Sequence, residues 1–261
     1  SSSGATFSFE IPIDAGLVRY DVTVSWDNGT GWWKPAKSFK NLVCGDVYLI
    51  DGQSNAVASD YHNEFIADQG VNTFVRSYGS AVNNADVTAS TSFSHAVAQT
   101  AYTQGSIGQW GLRLANRIKE EQSLPILVIN GAVGGTKVKQ HQRNDDQPTD
   151  ASTIYGRLLW RVQMADVTGA VRGIFWHQGE SDGNMKYDTY FELWKAMYED
   201  WLDDYPNVEA IYVFQVRNGC GSPTWNRNVH RDLPGLLPKV KGHMSTTGVG
   251  GHDGCHFFNA T

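Results

Sequence analysis

The segment Gly45–Asn55 constrains the fold more than any other part of the chain. It begins as an apolar and aromatic run of strand length, breaks at Gly52, and then presents Ser54 between two side-chain amides. A buried strand that runs into a Gly-x-Ser turn holds a hydroxyl at the carboxyl end of a parallel sheet, where open α/β folds bind their ligands. An ordinary strand-to-loop turn can have the same three residues, so a catalytic role for Ser54 depends on the rest of the chain.

Four more apolar segments of strand length follow, at residues 71–77, 125–130, 171–176 and 210–216. Amphipathic patterns with helical spacing lie between several of them, around residues 107–121, 154–165 and 191–202. Strands that alternate with helices predict a doubly wound parallel sheet with helices on both faces.

Residues 1–42 have a different pattern. Apolar and polar residues alternate in 6–11 and 18–26, which is typical of half-buried antiparallel strands. Because two or three strands do not form a stable sheet alone, we predict a β appendage at 1–42, either a remnant of an upstream β domain or packed as part of one, and a main domain at 43–261. Trp32 and Trp33 could form a sugar platform, although packing in a core is the commoner use of adjacent tryptophans.

The composition narrows the classes of partner. The chain has 261 residues, 41% hydrophobic and 18% charged, as expected of a folded globular protein. Its net charge of -6 argues against nucleic-acid binding, and it has no apolar run near the roughly 20 residues that span a bilayer. The N-glycosylation acceptor patterns at Asn28 and Asn259 favour a secreted or otherwise extracytoplasmic location. The abrupt end after Asn259 suggests part of a longer multidomain protein.

Polar clusters follow several predicted strands and should meet at one edge of the sheet. They supply a hydroxyl, a flexible amide-rich turn, a side-chain amide and an Asp-x-x-His pair: Ser54, Gly134 and Gly135, Gln178, and Asp253 with His256. Acyl transfer needs a nucleophile, a base, a group that orients the base, and donors for the oxyanion. In an Asp-x-x-His pair, the carboxylate can bind one ring nitrogen and direct the other at the serine.

These blocks carry a family resemblance. Gly52–Asn55, Gly134–Thr136, Trp176–Glu180 and Asp253–His256 occur in this order and resemble the SGNH (GDSL-like) hydrolases, most closely the sialate O-acetylesterase-like carbohydrate esterases. The resemblance runs from Gly45 to His256. It implies a three-layer α/β/α, flavodoxin-like domain with a five-stranded parallel sheet in the order 2-1-3-4-5, preceded by the short β appendage.

The resemblance also implies roles for the site residues. Ser54 would be the nucleophile, His256 the general base and then acid, and Asp253 its orienting carboxylate. The oxyanion hole would consist of the Ser54 and Gly134 N–H groups and the Gln178 side-chain amide. The implied activity is a serine esterase that removes O-acetyl groups from a carbohydrate, either sialic acid or a plant or algal polysaccharide, through an acetyl-enzyme intermediate. No cofactor is implied.

Three other features of the sequence bear on the site. Asn55 and Glu180 are interpreted as hydrogen-bonded scaffolding for the serine turn. Cys220 and Cys255 both lie near the predicted catalytic edge, so we predict a disulfide between them, with Cys44 free and buried; a disulfide also fits an oxidising compartment.

The sequence leaves two alternatives. The chain could be a non-catalytic glycan-binding or structural surface domain, but such a domain would be expected to lose at least one catalytic block. The second alternative is a metal site formed by His252, Asp253, Cys255 and His256, but no CxxC or HExxH motif accompanies these residues.

The loops expected around Ser54 indicate the substrate. Residues 55–64, 77–106 and 136–153 are mostly polar, with Tyr61, Tyr78 and Tyr102 among them. Polar loops with scattered aromatic rings suit a hydroxyl-rich sugar, whereas a lipid ester requires a long apolar groove. The sequence therefore predicts an acetylated carbohydrate as the substrate.

Overall fold

The structure is a computed structural model that describes residues 7–59, 68–98, 101–221 and 224–257. The strands in these ranges are β1 (Tyr20–Trp26), β2 (Lys34–Leu42), β3 (Asp46–Gly52), β4 (Val75–Tyr78), β5 (Phe93–His95), β6 (Ile126–Asn130), β7 (Val171–His177), β8 (Ala210–Gln215) and β9 (Val240–Ser245). The α-helices are α1 (Ser54–Val57), α2 (Gln109–Gln122), α3 (Ile154–Met164), α4 (Tyr187–Asp204) and α5 (Thr224–Leu236).

Strands β3 to β9 form one seven-stranded sheet in the order β5-β4-β6-β3-β7-β8-β9. Strand β5 is antiparallel to β4, and the other neighbouring pairs are parallel. Strand β3 is central, between β6 and β7, so the serine turn that follows it lies in the middle of the sheet edge. The predicted α/β class with a mostly parallel sheet is confirmed.

The strand count and the order 2-1-3-4-5 were predicted incorrectly. The five predicted strands are β3, β4, β6, β7 and β8, and their order in the sheet is β4-β6-β3-β7-β8, or 2-3-1-4-5. After β3 the chain does not form the neighbouring strand but β4, two positions away, and β6 later fills the position between them. The two unpredicted strands carry weak apolar patterns: β5 has three residues, and Val240 is the one fully buried residue of β9.

Helices cover the sheet on both faces. One buried cluster packs Leu49 and Ile174 of the sheet against α3, α4 and α5, and a second packs Ile50 and Phe175 against α1 and α2. Leu49 and Ile50 belong to different clusters because successive strand residues point to opposite faces. The result is the expected three-layer α/β/α arrangement. In the described part of the chain, no helix is long and apolar enough to cross a membrane.

Strands β1 and β2 pair in a separate two-stranded antiparallel sheet. Residues 7–11 of the predicted first strand are not in a strand. Trp32 and Trp33 are 78% and 70% exposed, so the expectation that they pack in a core was wrong. The physical reason is that this small sheet is not sandwiched between two layers, which leaves the residues at its turn open to solvent.

Candidate active site

A close approach of two strand ends positions Ser54. Gly52 ends β3 with a φ of 136°, and a Cβ atom there would lie 2.2 Å from the carbonyl oxygen of His177 at the end of β7. Glycine is therefore required, since any larger residue would push the two strands apart. The Gln53 N–H then donates to the same His177 oxygen at 2.9 Å, and α1 begins at Ser54. Because Ser54 is the first helical residue, its N–H has no acceptor within the helix.

The structure brings Ser54, His256 and Asp253 together. His256 Nε2 lies 3.1 Å from Ser54 Oγ, and His256 Nδ1 lies 3.2 Å from Asp253 Oδ2. With the ring proton on Nδ1, facing the carboxylate, the lone pair of Nε2 can accept the serine proton. The three side chains thus have the order and spacing of a nucleophile, a base and an orienting carboxylate.

The Asp253 carboxylate also shapes the loop that carries the histidine. Its Oδ1 accepts hydrogen bonds from the N–H groups of His256 and Cys255, at 2.7 and 2.8 Å. These bonds favour the charged form and lower the pKa of Asp253 to about 2. Asp253 is therefore ionised throughout the pH range in which a histidine base works.

Contacts from three other residues, in two segments of the chain, hold this loop. Cys220 and Cys255 form the predicted disulfide, with 4.9 Å between their Cα atoms. Asn55 Nδ2 donates to the Cys255 carbonyl at 3.0 Å, and Asn55 Oδ1 accepts from the Phe257 N–H at 3.2 Å. Arg217 donates to the Gly254 carbonyl at 2.5 Å. Cys44, in contrast, is a free thiol that is partly rather than fully buried.

Asn55 and Glu180 lie behind the serine turn, as predicted. Asn55 Nδ2 donates to Glu180 Oε1 at 2.8 Å, and the same carboxylate oxygen lies 3.6 Å from His177 Nε2. Burial lowers the pKa of His177, although the nearby Glu180 opposes this shift. These buried groups therefore connect the end of β7 to α1 and, through Asn55, to the histidine loop.

Gly134 lies beside Ser54, and its N–H is already engaged. It donates to the Tyr102 hydroxyl oxygen at 2.8 Å. A Cβ atom on Gly134 would lie 3.2 Å from that hydroxyl and 3.7 Å from Ser54 Cβ, whereas one on Gly135 would meet nothing within 4 Å. The phenol oxygen thus occupies the N–H group that the resemblance assigns to the oxyanion hole, and Tyr102 is a site residue whose role the motifs did not reveal.

Gln178 is not placed as an oxyanion donor in this structure. The residue is fully buried, and its Nε2 lies 2.6 Å from Asp182 Oδ2, 3.1 Å from the Thr136 carbonyl and 3.3 Å from Gln53 Oε1. Its Oε1 accepts from the Tyr190 hydroxyl at 3.0 Å. An amide nitrogen has two hydrogens, so this one has no donor left for a substrate. The motif identified the correct region but not the partners of the side chain.

Two further buried histidines, His141 and His230, contact other protein side chains. His141 lies 2.9 Å from Thr136 Oγ1 and 3.2 Å from Asp51, and His230 lies 2.9 Å from the Tyr190 hydroxyl. Burial lowers the pKa of His230 to about 3, so this ring is neutral at physiological pH.

A cavity of about 340 Å³ opens above these groups. Ser54, Gly134 and His256 line it, together with Gln53 and Ser181. Among the predicted rim residues, Tyr78 is 4% exposed and does not line the cavity, and Tyr61 lies outside the described residues. The arrangement offers an activated hydroxyl and backbone donors in a small space, which suits attack on a compact acyl group.

The potential metal ligands near His256 are used otherwise. Cys255 is in the disulfide, and His252 Nδ1 lies 3.1 Å from both Arg217 Nη1 and the Gly254 nitrogen. Within the ranges that the structure describes, no group of three or more His, Cys, Asp or Glu side chains is arranged to hold a metal ion.

Residues 44–260 match a protein family described as carbohydrate esterase, sialic acid-specific acetylesterase. No curated protein shows a significant sequence match.

Several solved structures share the fold. A carbohydrate acetylesterase from Xanthomonas citri superposes with a TM-score of 0.60 at 18% identity, over 95% of this chain and 59% of its own. A protein from Arabidopsis thaliana gives 0.60 at 21% identity, over 82% of this chain and 91% of its own. The protein NanS gives 0.57 at 14% identity, over 80% of each chain. The chain thus corresponds to 59% of the length of the Xanthomonas protein.

Proposed function

Because the chain belongs to the carbohydrate esterase family of sialic acid-specific acetylesterases, we propose that it is a serine esterase that removes O-acetyl groups from a carbohydrate. The observation that carries this proposal is the hydrogen-bonded series from Ser54 Oγ through the His256 ring to Asp253, with distances of 3.1 and 3.2 Å. A non-catalytic module would have no need for a carboxylate and an imidazole aligned on a serine at the mouth of a cavity.

In the proposed first half-reaction, Ser54 Oγ attacks the acetyl carbonyl carbon while His256 Nε2 takes the hydroxyl proton. The ionised Asp253 stabilises the resulting imidazolium. The carbonyl oxygen becomes an oxyanion and accepts hydrogen bonds from the Ser54 and Gly134 N–H groups, after the Tyr102 hydroxyl has left the latter. The tetrahedral intermediate then expels the sugar oxygen, which takes the proton from His256, and Ser54 remains acetylated.

The second half-reaction uses the same groups with water. His256 accepts a proton from a water molecule, whose oxygen attacks the acetyl-serine carbonyl. Collapse of the second tetrahedral intermediate breaks the bond to Ser54 Oγ, which recovers its proton from His256. Acetate is released, and the enzyme returns to its starting state.

The size and polarity of the site support an acetylated sugar as the substrate. A cavity of about 340 Å³ accommodates an acetyl group, and the polar side chains of Gln53, Asn55 and Ser181 line it. Sugars present hydroxyls to such polar groups and apolar ring faces to aromatic side chains. Sialic acid and plant or algal polysaccharides are both within this class.

The test is release of acetate from an acetylated glycan and of nitrophenol from p-nitrophenyl acetate. Ser54→Ala should abolish both, since it removes the hydroxyl next to His256. Ser181→Ala, which removes a second hydroxyl lining the cavity, should cause a far smaller loss. Turnover by Ser54→Ala at more than a trace of the wild-type rate would contradict the proposal, as would an inactive wild-type protein with a normal unfolding transition.

A further inference from the structure

The Gln178 side chain cannot serve as the third oxyanion donor in the orientation that it has here. Both amide hydrogens of Gln178 are directed at protein acceptors, the shortest contact being 2.6 Å to Asp182 Oδ2. Asp182 in turn accepts from the Val138 N–H at 2.7 Å, and burial raises the pKa of its carboxyl group. Turning the Gln178 amide toward a substrate would therefore leave the buried Asp182 oxygen without one of its donors, which is costly.

Gln53, which immediately precedes Ser54, has the opposite arrangement. Its Oε1 accepts from the N–H groups of Gly179 and Ser181, at 3.3 and 3.2 Å, and lies 3.3 Å from Gln178 Nε2. Backbone N–H groups can only donate, so these contacts fix which end of the Gln53 amide is oxygen.

The Gln53 nitrogen must then point away from these donors. This nitrogen has no acceptor among the described residues. It is also not one of the fully buried side-chain atoms without a partner, so it is open to solvent. Gln53 is 4% exposed, and it lines the same cavity as Ser54 and Gly134. Its Nε2 is thus a donor of a nearly buried, firmly held side chain at the mouth of the catalytic cavity.

We propose that the Gln53 side-chain amide is the third oxyanion donor, beside the Ser54 and Gly134 N–H groups, and that Gln178 positions it. This inference rests on the proposed acyl-transfer function. Gln53 acts on the reacting oxygen, while Gln178 acts through Gln53 and Asp182. A donor held in place before the reaction stabilises the developing charge without a further reorganisation.

Two substitutions separate the donor role from the structural role of Gln53. Gln53→Glu keeps an oxygen for the Gly179 and Ser181 N–H groups but loses the N–H donor. Gln53→Met has similar length, no donor and no charge. If the amide is an oxyanion donor, both variants should lose about 10² to 10³ in kcat with KM within a few-fold of wild type. Because Gln53→Glu places a charge at a nearly buried position, its unfolding transition must show that the variant is folded.

Gln178→Met is the matched comparison. Since it removes one of the two donors to the buried Asp182 Oδ2, it should lower the unfolding temperature and reduce kcat less than either Gln53 variant does. Steady-state kinetics with p-nitrophenyl acetate and thermal unfolding of all four proteins provide the data.

Each outcome decides between the two glutamines. The proposal is overturned if Gln53→Glu keeps kcat within about five-fold of wild type, or if Gln53→Met does so while Gln53→Glu does not, which would indicate charge repulsion. It is also overturned if Gln178→Met loses more than 10² in kcat at an unchanged unfolding temperature. An inactive wild-type protein would instead contradict the proposed esterase function, so the two failures are distinguishable.

Discussion

Asp253→Asn is the sharpest test of the arrangement around His256. The asparagine keeps an oxygen that can accept from the Cys255 and His256 N–H groups, which now donate to Asp253 Oδ1 at 2.8 and 2.7 Å. The turn should therefore survive. The substitution replaces Oδ2, which lies 3.2 Å from His256 Nδ1, by an NH₂ group that cannot accept a hydrogen bond from the ring N–H. The tautomer with its proton on Nε2 is then favoured, and this nitrogen can no longer accept the Ser54 proton.

The magnitude follows from how firmly the carboxylate controls the ring. In a triad with a buried aspartate, the same substitution reduces kcat by about 10⁴. The Asp253 side chain is 48% exposed, so water can replace part of its effect and screens its charge. We therefore expect a loss of about 10² to 10⁴ in kcat for p-nitrophenyl acetate, with little change in KM.

Asp27→Asn is the matched control. Asp27 Oδ1 accepts from the N–H groups of Gly29 and Thr30, at 3.0 and 3.1 Å, in a turn of the same kind in the β1–β2 hairpin. This variant should keep wild-type kinetics. A loss of less than ten-fold for Asp253→Asn, with an unfolding temperature equal to that of wild type, would refute the reasoning and mean that another group orients His256.

Three further predictions concern the cavity and the histidine loop. Tyr102→Phe should raise kcat/KM for p-nitrophenyl acetate by up to about ten-fold, because removal of a competing hydrogen bond of about 1 kcal/mol frees the Gly134 N–H; a large loss would mean that the hydroxyl assists the reaction. Values of kcat/KM for the p-nitrophenyl esters should fall from acetate to butyrate to octanoate, and equal turnover of octanoate would remove the carbohydrate interpretation. Joint replacement of Cys220 and Cys255 by serine should lower kcat and the unfolding temperature, because loss of a disulfide typically lowers the free energy of unfolding by about 2–4 kcal/mol. Unchanged values would show that the other contacts suffice to hold the loop.

The sequence predicted the residues that follow directly from strand ends and local spacing. Ser54 could be placed because an apolar strand and a glycine precede it, and Asp253 and His256 because they lie three positions apart within one loop. These predictions depend only on neighbouring residues, so they do not depend on the strand order, which was predicted incorrectly. The motifs also located the turn at Gly134, but not the Tyr102 hydroxyl that occupies its N–H.

The role of Gln178 could not be read in the same way. Its orientation depends on Asp182, Thr136 and Tyr190, which three different segments of the chain supply. A motif fixes which residue follows a strand, but hydrogen-bond competition in the folded chain decides where its amide points. The exposure of Trp32 and Trp33 could not be predicted for a similar reason. Residues beside strands are buried only where a second layer covers the sheet, and the local sequence does not show whether one does.

The groups proposed to catalyse the reaction differ in how the fold holds them, and this difference explains which of them depend on contacts outside the sheet. Ser54 stands on α1, directly after the central strand, and is fixed by the sheet itself. His256 lies beyond β9 in an irregular loop, where its side chain is 35% exposed. A loop with so little burial would move freely unless side chains tied it down. Asn55 connects the two elements: it follows Ser54 in sequence and binds the Cys255 carbonyl and the Phe257 N–H on either side of His256. The amide next to Ser54 therefore helps to set the distance between serine and histidine, together with the disulfide that joins the loop to Cys220.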